Sequence, residues 1–92
     1  MTIRWSSEAR DDVDRLADFV AAYDPIRADE IERELSQAPK KLLQFRRRGS
    51  RLSEFDPREI REYRFGSYLL RYELAEDDIV MLRIFHGRED RY

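Results

Sequence analysis

The run Ile79-Val80-Met81-Leu82-Arg83-Ile84-Phe85 constrains this chain more than any other stretch. It is apolar at every position but Arg83, so it lacks the alternation of a half-exposed strand and reads as a strand buried on both faces. It is followed directly by Phe85-His86-Gly87-Arg88-Glu89-Asp90-Arg91-Tyr92. The chain therefore ends by carrying a histidine, two arginines and a terminal tyrosine out of its most buried element. Polar groups at a rigid strand end are well placed for function, and equally they can simply solubilise the end of a small domain.

At 92 residues the chain is expected to form one domain spanning residues 1–92, near the small end of what folds alone. It has no cysteine, which excludes disulfides, thiolate chemistry and zinc sites of the Cys type, and its one histidine argues against a His-based metal site. No metal or other cofactor is expected. No apolar run approaches the roughly 20 residues needed to span a bilayer, and Met1-Thr2-Ile3-Arg4-Trp5 does not read as a signal peptide. The expectation is a cytoplasmic protein that makes no use of a membrane.

The formal charge of −2 hides a partition. Residues 1–37 carry ten acids against five arginines, and residues 54–92 carry ten acids against seven arginines. Between them, residues 38–53 carry Lys40, Lys41, Arg46, Arg47, Arg48 and Arg51 and no acid at all. Such a basic island can meet phosphate or an acidic protein, because local potential matters more than net charge. It can also be a solvated helix end whose cations favour the negative dipole pole.

Periodicity supplies the rest of the architecture. Thr2–Trp5 reads as a short opening strand, stopped by Ser6 or Ser7, which caps a helix. Ala9, Val13, Leu16, Ala17 and Val20 recur at helical spacing, leaving Asp11, Asp12, Asp14, Arg15 and Asp18 for water. Asp24-Pro25 marks the start of a second helix. Its apolar seam runs Ala28, Ile31, Leu35, Ala38, Leu42 and Phe45, with Pro39 expected to interrupt it near Gln37. Gly49 to Pro57 is a polar connector. From Ile60 the period becomes two, with turns at Gly66-Ser67 and Glu76-Asp77-Asp78. The predicted fold is α+β: an N-terminal strand and an antiparallel helical hairpin packed on a four-stranded, mainly antiparallel sheet, in the order β-α-α-β-β-β.

That order, in so short a chain, resembles the ParE/RelE superfamily of toxins from type II toxin–antitoxin modules. The resemblance is carried by Arg61-Glu62-Tyr63-Arg64-Phe65-Gly66-Ser67-Tyr68-Leu69-Leu70-Arg71-Tyr72 and by the ending Leu82-Arg83-Ile84-Phe85-His86-Gly87-Arg88-Glu89-Asp90. That ending is similar to one common in the ParE branch, as is the opening Ile3-Arg4-Trp5-Ser6-Ser7-Glu8-Ala9. The resemblance implies a toxin that arrests growth and is neutralised by a cognate, ParD-like antitoxin, whose disordered segment folds on binding. It implies one of two targets. ParE-like members poison DNA gyrase by stabilising its cleavage complex. RelE-like members cleave mRNA on the ribosome with basic side chains and a tyrosine or histidine near the C-terminus.

If this chain were such a nuclease, His86 would serve as acid or base, Arg88, Arg64 or Arg71 would hold the phosphate, and Tyr92 would stack or donate a proton. His86 reads equally as a hydrogen-bonded structural residue, and Arg88 as part of a surface ion-pair cluster with Glu89 and Asp90. The stretch before the second long strand, Glu54-Phe55-Asp56-Pro57-Arg58-Glu59, holds three acids where nuclease members carry lysines, which weighs towards the ParE branch. A member that has lost toxicity and serves as a binding module is a third reading. For recognition of antitoxin or target, the candidate residues are Arg61, Arg71, Arg83, His86, Arg88 and Tyr92. The sheet arginines among them would form an outer surface suited to an acidic segment, or would merely keep that face soluble.

Overall fold

Ser6 decides where the first strand stops and the first helix begins. In the computed structural model, which describes residues 1–89, strand β1 (Thr2–Trp5) runs parallel to strand β5 (Asp78–His86), and their pairing ends at Trp5 opposite Met81. The Ser6 N–H then donates to the Met81 carbonyl at 2.9 Å. Its hydroxyl donates to the Leu82 carbonyl at 2.9 Å and accepts from the Ala9 N–H at 3.0 Å. One serine thus closes the strand and caps helix α1 (Ser7–Ala21).

Helix α1 buries Ala9, Val13, Leu16 and Ala17 as their spacing predicts, with Val20 packed at the edge of the core. It also buries Asp12, at 4% exposure, which the spacing had assigned to water. The Asp24 carboxylate accepts from the Arg27 N–H at 3.1 Å and Pro25 opens helix α2 (Pro25–Gln37), completing the expected hairpin. The helix ends at Gln37 and continues as a 3₁₀ turn over Ala38–Leu43, since Pro39 supplies no N–H for the helical ladder. Ala28, Ile31, Leu35, Ala38 and Leu42 are buried, but Phe45 is 59% exposed. The change of helical type after Pro39 puts Phe45 out of phase with the seam.

The sheet has five strands in the order β1-β5-β4-β3-β2, one more than the sequence led us to expect. The addition is the two-residue strand β2 (Ser50–Arg51), which pairs antiparallel with β3 (Ile60–Phe65) from inside the polar connector. Two polar residues leave no apolar alternation to read. Strand β4 (Tyr68–Ala75) joins β3 to β5, antiparallel to both.

The register of β4 against β5 slips between Arg71 and Tyr72: Arg71 faces Arg83 while Tyr72 faces Met81, so Leu82 is the extra residue of a bulge. The slip sets the core. Ile79 and Met81 face the helices, and strict alternation would send Arg83 inward beside them. The bulge turns Arg83 to the outer face and brings Ile84 into the core with Leu70, Tyr72, Leu16, Ile31 and Leu35. On the outer face Phe85 is covered by the guanidinium groups of Arg71 and Arg83, at 5.3 and 4.9 Å from its ring. Phe85 is thus covered, but Val80, Leu82 and Arg83 are only half-buried, so β5 is not fully buried on both faces as its apolar run suggests. No described helix is long and apolar enough to cross a membrane.

One buried hydroxyl helps fasten the loop after the 3₁₀ turn to this core. Tyr72, fully buried, donates to the Arg46 carbonyl at 2.7 Å and accepts from the Gly49 N–H at 3.0 Å. Gly49 is required there, because a Cβ would lie 2.7 Å from the Glu62 carbonyl oxygen. Tyr72→Phe leaves both backbone groups without their partner and is expected to cost about 2 kcal/mol, read as a lower urea midpoint at unchanged slope. A wild-type midpoint would mean the loop is held by other contacts.

Candidate functional site

Beyond Trp5 no strand lies beside the edge of β5 among the described residues, and helix α1 supplies side chains in its place. The Asp12 carboxylate accepts from the Ile84 N–H at 2.8 Å, from Arg83 Nε at 2.8 Å and Nη2 at 3.1 Å, and from Arg15 Nη2 at 3.3 Å. Arg83 reaches it from the outer face around the uncovered edge. Burial alone would raise the Asp12 carboxyl. The hydrogen bonds from Arg83, Ile84 and Arg15, with the Arg83 charge, outweigh burial and hold it below the usual value.

Arg15 passes the linkage on. Its guanidinium also binds Glu89, whose Oε2 accepts from the His86 N–H at 2.9 Å. The turn after β5 is closed by the Gly87 N–H donating to the Ser67 carbonyl at 2.8 Å and the Arg88 N–H donating to His86 Nδ1 at 3.2 Å. The His86 ring stands edge-on to Tyr68, centroids 5.5 Å apart. The turn after β5 is thereby latched to the first helix.

This latch forms one wall of an open groove of about 930 Å³ between the helical hairpin and the β3–β4 turn. Phe19, Val20, Tyr23, Ile31, Phe65 and Tyr68 supply its apolar lining, and Arg15, Arg27, Glu34, His86, Arg88 and Glu89 its polar rim. Phe19 and Tyr23 are 74% and 71% exposed and meet edge-on. Contiguous exposed apolar residues of this size mark a docking surface. The rim pair Arg27–Glu34, at 2.9 Å, holds the α2 side.

The residues singled out from the sequence are scattered across this arrangement. His86 lies on the helix-facing side of the sheet, paired with Tyr68, whereas Arg64 pairs with Leu69 and Leu69 with Phe85 on the opposite face. Arg71 is also on that outer face, stacked between the Phe55 and Phe85 rings at 5.4 and 5.3 Å and bound to Glu62 at 3.1 Å. The sheet thus stands between His86 and Arg71, whereas the Arg64 guanidinium reaches the end of the sheet, 3.8 Å from where a Cβ on Gly87 would lie. Arg83 is committed to Asp12. Arg61 faces the helices and binds Glu59 at 2.9 Å and the Gly49 carbonyl at 2.6 Å. Arg88 lines the groove beside His86. Tyr92 lies outside the described residues. Among the described residues no group of three or more His, Cys, Asp or Glu side chains is placed to hold a metal.

Sequence reasoning missed the groove wall and Asp12. Phe19 and Tyr23 sit four residues apart, off the Ala9–Val20 stripe, and an aromatic pair on the polar side of a helix was the available signal. Asp12 had no such signal, since nothing in α1 foretells a partner 71 residues on.

Residues 3–91 match the family described as the ParE toxin of type II toxin–antitoxin systems, parDE. The chain belongs to this family, and a member of such a system has a cognate antitoxin as its partner. A solved structure, the chromosomal ParDE system from P. aeruginosa, superposes with a TM-score of 0.78 over 94% of this chain and 95% of that one, at 20% identity. That likeness is one of fold. No curated protein matches the chain.

Paired carboxylates give the fold a pH dependence of definite sign. Asp12 and Glu73 lie below their ordinary values, and Glu59, gripped by Arg47 and Arg61, is pulled from 4.5 to about 2. Groups lowered on folding stabilise the native state in full above their unfolded values, and lose that contribution as pH falls towards the folded ones. Unfolding free energy is therefore expected to be level above about pH 5 and to fall between about pH 4.5 and 2. Asp12→Ala should cost about 3 kcal/mol at neutral pH, because it strips the Ile84 N–H and leaves Arg83 unpaired. Denaturant titrations across pH read both effects. A loss under 1 kcal/mol for Asp12→Ala, on the order of a surface pair, would remove it from the central role.

Proposed function

We propose that this toxin acts by binding, that its target is DNA gyrase, whose DNA-cleavage complex it stabilises, and that its ParD-like antitoxin silences it by occupying the groove between the hairpin and the β3–β4 turn. The observation that carries the binding reading is that the sheet separates Arg71 from His86, and that Arg71 and Arg83 are already paired with carboxylates. Cleavage by 2′-oxygen attack needs an acid, a base and cations converging on one phosphate. Arg71 and Arg83 are instead neutralised by Glu62 and Asp12, and the aromatic faces of Phe55 and Phe85 take up the Arg71 guanidinium. His86 already accepts from the Arg88 N–H.

The groove suits an amphipathic helix. Phe19, Tyr23, Phe65 and Tyr68 offer apolar contact along its walls, while Arg27, Arg88, Glu34 and Glu89 line the rim with both signs of charge. A disordered antitoxin segment with apolar anchors three and four residues apart would fold into it, its polar face meeting that rim.

Purified gyrase and supercoiled plasmid test the target. Toxin is expected to make linear, protein-linked DNA accumulate, and added antitoxin to prevent it. Untouched gyrase with cut mRNA in a translating extract would transfer the chain to the ribosome-dependent nuclease reading, and Arg88→Ala would then be the first variant to examine. For the groove, Tyr23→Asp should leave the fold intact, since the side chain is exposed, yet weaken antitoxin binding by about 100-fold, the size of a lost aromatic hot spot. Undiminished binding by isothermal titration would place the antitoxin elsewhere.

A further inference from the structure

The basic island adjoins the groove at Phe65, whose ring lines the groove and also carries Lys41, but none of the island's own cations lines it. Of its six cations, Arg47 binds Glu59 and Arg51 binds Asp56, each at 2.9 Å. Lys40, Lys41, Arg46 and Arg48 have no carboxylate partner among the described residues, although the chain as a whole is acidic. Two of these four are positioned without being neutralised. The Lys41 ammonium lies 5.5 Å from the Phe65 ring centroid, and the Arg48 guanidinium 5.4 Å from that of Tyr63. Phe65 and Tyr63 alternate on the helix-facing side of β3, so the two cations are spaced along one strand. Between them in the chain lie Leu43 and Phe45, 47% and 59% exposed, and Phe45 lines a shallow depression with Arg47 and Arg48. An exposed aromatic ring in a field of unpaired cations is costly for solubility and serves no packing purpose here.

The segment is also held in place. Tyr72 fastens Arg46 and Gly49 to the core, and the Arg47–Glu59–Arg61 cluster ties the loop to β3. Rigid cations lose less entropy on binding than cations on a free tail.

We propose that Lys40, Lys41, Arg46 and Arg48, with Phe45 between them, form a binding surface for single-stranded nucleic acid. The four cations would contact successive phosphates, and Phe45 would stack on an unpaired base. Aromatic stacking beside a charged track is sequence-tolerant and favours single strands, whose bases expose a π face. An acidic protein segment would satisfy the cations but would leave Phe45 unexplained. The surface goes beyond the gyrase reading and does not depend on it, for it would engage a single strand whatever enzyme the toxin targets.

Fluorescence anisotropy of the full-length protein tests this with labelled oligothymidylate, oligouridylate and a mixed-sequence duplex. Single strands are expected to bind more tightly than the duplex, and the oligouridylate arm shows whether RNA or DNA is preferred. Four phosphate contacts predict a slope of log K on log salt of about −3, a loss of about fifty-fold between about 50 and 200 mM salt. Joint substitution Lys40→Gln, Lys41→Gln, Arg46→Gln and Arg48→Gln should flatten that slope. Phe45→Ala should weaken single-strand binding about tenfold, the size of one lost base stack, and leave the slope and the duplex unchanged.

Both variants change exposed or half-exposed side chains, and circular dichroism checks their fold. Absence of salt-dependent binding at low salt, or retention of single-strand affinity by either folded variant, overturns the proposal. Unchanged oligonucleotide binding together with failed neutralisation of the quadruple variant by antitoxin also overturns it, assigning the cations to an acidic protein segment.

Discussion

The buried Asp12 carboxylate is the interaction on which the architecture turns. Strand β1 is too short to cover β5 along its whole length, and where it ends the sheet would expose the Ile84 N–H and carbonyl to a half-apolar edge. Open edges of this sort invite pairing with another chain. Helix α1 closes the edge with Asp12 on the N–H and Arg15 near the carbonyl, at 2.8 and 3.5 Å. The arrangement works only because the β5 bulge sends Arg83 outward, from where it can reach around to the same carboxylate. A buried carboxylate is tolerable when its hydrogen-bonding capacity is filled by donors of opposite charge.

The same linkage sets the shape of the groove. Arg15 extends from Asp12 to Glu89, and Glu89 fixes the backbone of His86. A single line of charge-assisted contacts therefore runs from the edge of the sheet to the turn that walls the groove. His86 and Arg88 are held there by backbone and carboxylate, not left on a fraying tail. The turn from His86 to Glu89, conspicuous in sequence, is tied in place by residues of the first helix.

Most of the fold was legible, and the failures share one cause. The helical seam, the caps at Ser6 and Asp24, the break at Pro39 and the hairpin turn at Gly66-Ser67 rest on local chemistry that a window of a few residues contains. Asp12, Arg71 and Arg83 are decided by partners brought together through register, and a one-residue bulge reversed the face on which Arg83 lies. Phe45 was placed in the seam because helical phase was carried past Pro39, where the turn type changes. The fifth strand, Ser50–Arg51, forms because β3 offers it a partner and not because its residues favour a strand. The groove was illegible for a different reason: exposed Phe19 and Tyr23 gain meaning only when the opposite wall, contributed by β3, β4 and the end of β5, is in place.

Charge, finally, is divided by use. The arginines of the sheet are nearly all spent on carboxylates: Arg4 on Asp78, Arg51 on Asp56, Arg61 on Glu59, Arg71 on Glu62 and Arg83 on Asp12. These pairs let a small domain carry many charges without a strong field over the sheet. The cations around Phe45 are the contrast, because two of them rest on aromatic rings that orient a charge without cancelling it. Stability alone gives no reason to leave those positions unmatched in an acidic chain, whereas an anionic partner does. The fold therefore offers two surfaces of different chemistry, an apolar groove rimmed by paired charges and a basic aromatic face, and a partner that fills the first need not cover the second.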